Sequence, residues 1–363
     1  MIRRIRSLLP EKMRTSIRRR LIEIPYYRRT TQFKELKKTD GKRIILIGTP
    51  EYPNLGDHAI AVAEIEFIKA LNLNCKLIEI TQENLRYDRK EVFRHIKEDD
   101  LIIYTGGGFM GSMYLESGGG YLREVLKRFK QNKIIICPST CYYESSEYGE
   151  KCFNDDLEIW RNCSHLNLFL RDENSWNKVS KYRTERFRVH QVPDMAFLLD
   201  FKKRTNRNGV LCILRNDKEK AYDIEIGQIE KELVAKGYAF REISTRINRK
   251  IRPSERVKKV QDMLSTISEA EIVITDRLHG MIMSIITNTK VIAIDNKSHK
   301  LSGSIKVYDN NLSNLICLGG DLTVDKILEN LEKNKEYVHT VNQELYSELA
   351  DCIRRGINSE EIY

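Results

Sequence analysis

The chain has 363 residues, 41% apolar and 31% charged, which suits more than one packed core and excludes a disordered or low-complexity polypeptide. Its formal charge of +10 is unevenly spread: residues 1–43 hold 15 Lys or Arg against 4 Asp or Glu, an excess of +11 that leaves the rest at −1. A nearly neutral body lacks the broad basic face of a nucleic-acid binder, whereas a concentrated basic segment suits an anionic membrane surface or a partner.

Residues 1–40 form the basic segment. Between Pro10 and Pro25, Met13, Ile17, Leu21 and Ile24 recur at helical spacing while Arg14, Arg18, Arg19 and Arg20 crowd the remaining surface. That pattern predicts a basic amphipathic helix, either packed by its apolar stripe on the protein's own body or docked on the inner face of the cell membrane. The opening MIRRIRSLLPEKMR has no apolar core of signal-peptide length, and no stretch approaches the roughly 18 apolar residues of a membrane span. The eight cysteines include no CxxC pair, which argues against a disulfide framework or zinc ribbon; Cys137 and Cys141 read as packing. A cytoplasmic protein with reduced thiols, at most peripheral at the membrane, is expected.

From residue 41 to 203, short β-branched runs alternate with helical patterns: RIILIG (43–48), CKLIEI (75–80), DLIIYT (100–105), KIIIC (133–137) and NLFLR (167–171). Such runs suit strands buried on both faces, and DHAIAVAEIEFIKAL and YLREVLKRFKQ suit crossover helices. The polar FKKRTNRNG interrupts the pattern, which then begins again over 204–321 with VLCILR (210–215), YAFREI (238–243), EIVIT (271–275) and KVIAI (290–294). Residues 322–363 read as two further helices, closing the second unit or crossing back onto the first. The fold class is therefore α/β, with two Rossmann-like domains whose strand ends face a shared cleft.

The candidate chemistry sits at those strand ends. GTPEYPNLGDHAI (48–60) leaves a strand through a glycine loop and enters a helix, where Asn54, Gly56 and Asp57 are placed to meet a ligand, Asp57 being equally suited to a helix cap. In YTGGGFMGSMY, Gly106, Gly107 and Gly108 can wrap a sugar or phosphate, or can simply make a tight connection. ITDRLHGMI delivers Asp276, Arg277 and His279 to a helix start. Arg171, Arg215 and Lys300 stand at equivalent positions, and these cations converging on one cleft suit a small polyanion. His58 is held in reserve beside Asp57; His95, His165, His190 and His339 lack motif-like company. With no HExxH, Cys/His array, GxSxG or Walker loop, neither metal nor cofactor is expected.

NLGDHAI, the triple glycine, LRDE, LRND and TDRLHGMI followed by a strand and HK together resemble the polysaccharide pyruvyl transferase family, in order and spacing from about residue 43 to 305. The likeness is to the branch of bacterial exopolysaccharide and biofilm clusters. It implies a fold like that of two-domain glycosyltransferases of the B type, phosphoenolpyruvate as donor, and a sugar or lipid-linked oligosaccharide as acceptor, joined as a cyclic pyruvate ketal with release of phosphate. It carries the family's cationic residues onto Arg171, Arg215, Arg277 and Lys300, with Lys297 a rival for the last, and its histidine onto His279. His279 is then expected to act as general acid or base and the four cations to hold carboxylate and phosphate and stabilise the leaving dianion, with Arg277 and Lys300 counted beside His279 as catalytic. A nucleotide-sugar glycosyltransferase of the same architecture is the rival reading, and a non-catalytic scaffold a more distant one.

Overall fold

The computed structural model describes residues 11–201, 206–215, 220–222, 224–295, 299–309, 317–318, 322–332 and 338–358. Lys297, the rival of Lys300 for the donor-site lysine, lies outside them.

The basic segment divides into two parts. Helix α1 (Glu11–Arg18) runs through a π-helical turn (Arg19–Glu23) into α2 (Ile24–Arg28), followed by α3 (Thr31–Lys38). Tyr27, Phe33 and Leu36 are buried against the first domain, whereas Leu21 is 72% exposed and Met13, Ile17 and Ile22 are exposed with it. The apolar stripe before residue 24 therefore does not pack on the body. Arg43 seals the base of the segment, donating to Leu36 O and His95 O and pairing with Asp100 in full burial.

The first sheet holds β1 (Arg43–Thr49), β2 (Lys76–Thr81), β3 (Leu101–Tyr104), β4 (Gly107–Gly111), β5 (Lys133–Tyr142), β6 (His165–Leu170) and β7 (Phe187–Gln191). Its order is β2-β1-β3-β5-β6-β7, with β4 pairing β5, and every pair is parallel. The second holds β8 (Val210–Ile213), β9 (Phe240–Glu242), β10 (Ile272–Thr275), β11 (Lys290–Ile294) and β12 (Cys317–Leu318), ordered β12-β11-β10-β8-β9, again parallel. Parallel strands need helices on both faces, which is why β3, β8, β10 and the Ile44–Ile47 stretch of β1 read as near-continuous apolar runs and are buried throughout. In each sheet the order reverses beside its first strand, at β1/β3 and at β8/β10, and α/β sheets bind ligands beyond the strand ends at such points.

The two sheets share one apolar core. Helices α4 (Leu55–Ala70) of the first and α5 (Pro253–Ser268) of the second pack together and contribute Ala59, Val62, Ala63, Val260 and Leu264 to a single cluster, which the 3₁₀ turn Met195–Leu198 joins. Backbone bonds join the halves at the cleft rim, Thr245 O accepting from Leu55 N at 2.9 Å and Pro53 O from Ile247 N at 3.1 Å. Arg256 of α5, buried, reaches across to Glu79 at 2.6 Å and donates to Pro50 O at 3.1 Å. The two terminal helices part company: Ile327 of Val324–Glu332 joins the second domain's core, while Ser347–Asn358 crosses back, Gly356 meeting Leu101 of β3. Among the described residues no helix is long and apolar enough to cross a membrane, and the seven described cysteine side chains are all free thiols, Cys137 and Cys141 in the core.

Candidate active site

A cleft of about 520 Å³ opens between the two sheets at both reversal points. Asn54, Asp57, Gly108, Arg171, Arg215, Arg277, His279 and Lys300 all line it, so most of the residues singled out from sequence come together there.

On the first domain, β1 leads into α4. The helix cap is Asn54, whose Oδ1 accepts from Gly56 N at 3.2 Å; Asp57 lies in the first turn, where its carboxylate accepts from Asn54 Nδ2. Gly56 is required by contact: a Cβ there would stand 2.3 Å from Nδ1 and 2.6 Å from Cβ of His279, on the other domain. His58 is not a site group. Its Nε2 donates to Tyr52 O at 2.9 Å and its Nδ1 accepts from Arg256 Nε at 3.2 Å, and burial followed by the Arg256 charge pushes it down to about 3, leaving it neutral.

The triple glycine leads from β3 into β4, of which Gly107 and Gly108 are the first residues. Gly106 N donates to Glu64 Oε1 and Thr105 Oγ1 to Glu64 Oε2, both at 2.7 Å, so a carboxyl of α4 holds the turn from beneath; burial outweighs these bonds and raises Glu64 to about 7. Gly107 has φ +137°, a region that disfavours a side chain, and its neighbour Gly108 leaves room for two cations. A Cβ on Gly108 would lie 3.2 Å from both Arg171 Nη2 and Lys300 Nζ.

Arg171 follows β6 directly and is buried, donating from Nε to Thr140 Oγ1 at 3.0 Å and from Nη1 to Asp194 Oδ2. Lys300 opens the helix Lys300–Tyr308 and is 93% buried, its ammonium beside that guanidinium. Two cations this close in a buried site favour a bound anion between them. Arg215 and Arg277 enter from the second sheet: Arg215 N donates to Asp276 Oδ1 at 2.8 Å, Arg277 Nε to Leu214 O at 3.3 Å. Burial raises Asp276 to about 6 against the opposing pull of the Arg215 amide and both arginine charges.

Asp194 links these elements and was not picked out from sequence. Fully buried after β7, it pairs with Arg171, and its Oδ2 lies 3.5 Å from His279 Nε2, a close approach outside aligned hydrogen-bond geometry. Burial alone would raise it, but the Arg171 guanidinium and then His279 overcome burial and hold the carboxyl well below the usual range. Asp194 is thus an anion that positions both the histidine and the arginine. Its signal was available in RVHQVPD, a β-branched run ending in a carboxylate, had the run been read as a strand; Glu64, inside an apolar helix, offered none.

Among the described residues, His190, Glu348 and Cys352 bring three metal-type ligand atoms within 4.8 Å, yet Arg355 Nη2 sits 3.6 Å from Cys352 Sγ and already occupies that thiol.

Fold and site together define a two-domain α/β protein of glycosyltransferase-B-like architecture, with a cationic cleft between Rossmann-like halves. S. aureus MnaA in its UDP complex has this fold, with a TM-score of 0.50 at 11% identity over 89% of this chain and 99% of that one. The profile of the polysaccharide pyruvyl transferase family matches residues 54–298, and the chain belongs to that family. It is 34% identical to general stress protein 30 of Bacillus subtilis (strain 168) over 76% of this chain and 80% of that protein. It is 24% identical to pyruvyl transferase 1 of Schizosaccharomyces pombe (strain 972 / ATCC 24843), over 79% and 74%.

Proposed function

We propose that this transferase takes the pyruvyl unit from phosphoenolpyruvate and sets it as a cyclic ketal on two hydroxyls of a sugar in an exopolysaccharide or its lipid-linked precursor. The observation that carries the reading is the meeting of Arg171, Lys300, Arg215 and Arg277 with His279 in one cleft, since the donor is a small molecule bearing a carboxylate and a phosphate.

The reaction balances with the groups present. The methylene carbon of the donor takes a proton, one sugar hydroxyl oxygen bonds to C2, and the C2–O bond to phosphate breaks. A second hydroxyl then bonds to C2 and closes the ring; one hydroxyl proton ends on the new methyl group and the other on phosphate. His279, held by Asp194, serves as the acid or base of these transfers. Arg171 and Lys300 flank the position suited to the phosphate, where they oppose its growing negative charge. The test is phosphate release from phosphoenolpyruvate that depends on an added glycoside, with a ketal methyl signal in the product. UDP release from a UDP-sugar, without that chemistry, would instead identify a glycosyltransferase.

The basic segment supports a place for this reaction at an anionic bilayer. Met13, Ile17, Leu21 and Ile22 are exposed on a helix that carries Arg18, Arg19 and Arg20, the composition of an interfacial helix. Arg19 Nη2 donates to the backbone of Arg86, a cleft-lining residue, at 3.1 Å, which sets that helix beside the cleft.

A further inference from the structure

The cleft has two unlike ends. The four cations suffice for a three-carbon phosphate ester, and the lining beyond them carries aromatic rings together with Arg86, whose guanidinium is paired with Glu83 at 3.6 Å. The strand Gly107–Gly111 divides the two ends: Gly108 faces Arg171 and Lys300, while the next residue, Phe109, faces the opposite end, its ring 5.5 Å from that of Tyr104 and tilted by 59°. Tyr104 is buried behind the wall, its hydroxyl donating to Gly118 O at 3.1 Å. Phe109, Tyr114 and Tyr121, each partly exposed, line the cleft in front of it. Gly118, at the start of the helix Gly118–Arg128, admits both Phe109 and the Gln82 amide: a Cβ there would lie 2.9 Å from Phe109 Cβ and 3.5 Å from Gln82 Nε2. Glu116, exposed, adds a carboxylate to the same rim.

Aromatic faces beside a planar amide and a carboxylate fit a neutral pyranose, whose C–H face stacks while its hydroxyls bond in the plane of the amide and carboxylate. We infer that the Phe109–Tyr114–Tyr121 wall, with Gln82, is the acceptor subsite, binding an uncharged hexose or N-acetylhexosamine ring with its reacting hydroxyls turned toward His279 and the donor. This rests on the pyruvyl transfer proposed above. It goes further by assigning the substrate class to one end of the cleft, and Tyr121 to affinity for the acceptor rather than for the donor.

Saturation-transfer NMR with methyl β-D-galactopyranoside and methyl N-acetyl-β-D-glucosaminide, with phosphoenolpyruvate present and UMP as a competitor, tests it on the full chain and on Tyr121→Ala. The expected result is a hexoside signal in the wild type, weakened about tenfold in Tyr121→Ala and retained in Tyr121→Phe, while calorimetric affinity for phosphoenolpyruvate changes less than about twofold in both. Retained donor binding also reports that the variants fold. A hexoside signal unchanged by Tyr121→Ala, displaced by UMP, or missing for both probes at millimolar concentration would overturn the subsite. Failure of the wild type to bind phosphoenolpyruvate would overturn the donor reading instead, so the two failures are distinguishable.

Discussion

Gly56→Ala tests whether the contact between the domains at His279 matters for turnover. The new Cβ would stand 2.3 Å from His279 Nδ1, 2.4 Å from Cγ and 2.6 Å from Cβ, where ordinary contacts begin at 3.4 Å, so some atoms must retreat by about 1 Å. Rotating the ring cannot relieve this, because the histidine's own Cβ is among the atoms met. The start of the helix Leu278–Ile286, which carries His279, must draw back from α4. Overpacking of this kind costs about 1–3 kcal/mol, while Ala in place of Gly in a helical backbone returns up to about 1 kcal/mol, so the protein stays folded. A displacement of that size in an acid–base group costs about 10²-fold in turnover. Urea unfolding and glycoside-dependent phosphate release measure the two effects separately. A folded Gly56→Ala protein with near wild-type turnover would show that the position of His279 is not used, and the assignment of its role would fail.

Asp194→Asn keeps the shape and removes the charge that Arg171 and His279 share; stability should fall by about 3–5 kcal/mol in urea, with turnover down at least 10²-fold, and a smaller loss of either would show the pairings to be incidental. Glu64, raised from 4.5 to about 7, binds more protons folded than unfolded between those values, so its contribution to stability declines as pH rises from about 4.5 through 7. Glu64→Gln should therefore flatten that decline and stabilise the protein by up to about 3 kcal/mol at pH 8, as judged by urea midpoints at pH 5 and 8. Leu21→Asp should abolish co-sedimentation with vesicles rich in phosphatidylglycerol and leave donor affinity unchanged; equal binding by wild type and variant would remove residues 11–23 from any membrane contact.

The architecture was legible because both sheets are parallel and buried on both faces. The runs at 43–48, 133–137, 210–215, 271–275 and 290–294 needed nothing beyond their own apolar continuity to be read as strands. What escaped was structure made by packing. Strand β4 is glycine-rich and takes its conformation from pairing with β5, and β7, FRVHQ, alternates polar and apolar residues at the sheet edge. Missing β7 meant missing Asp194, the carboxylate at its end. The cations were legible because each directly follows a strand or opens a helix, yet their grouping was not: the approach of Arg171 and Lys300 depends on Gly108, and that of His279 and Gly56 on how the two domains meet. The helix cap likewise passed from Asp57 to Asn54, because Asn54 has the extended backbone a cap requires and lies two residues before the amide it accepts from. For the N-terminal stripe, sequence left both outcomes open, and only the anchoring of Tyr27, Phe33 and Leu36 frees the preceding turns to face outward.

Calorimetric titration of the full chain with phosphoenolpyruvate, alongside Arg215→Ala, addresses the central claim most directly, because the cationic end of the cleft is assigned to that donor. The account predicts binding in the wild type, weakened about tenfold or more in Arg215→Ala as a charge-assisted contact is lost. No heat up to millimolar donor, together with binding of UDP or a UDP-sugar that Arg215→Ala loses, would contradict it and identify the cleft as a nucleotide-sugar site.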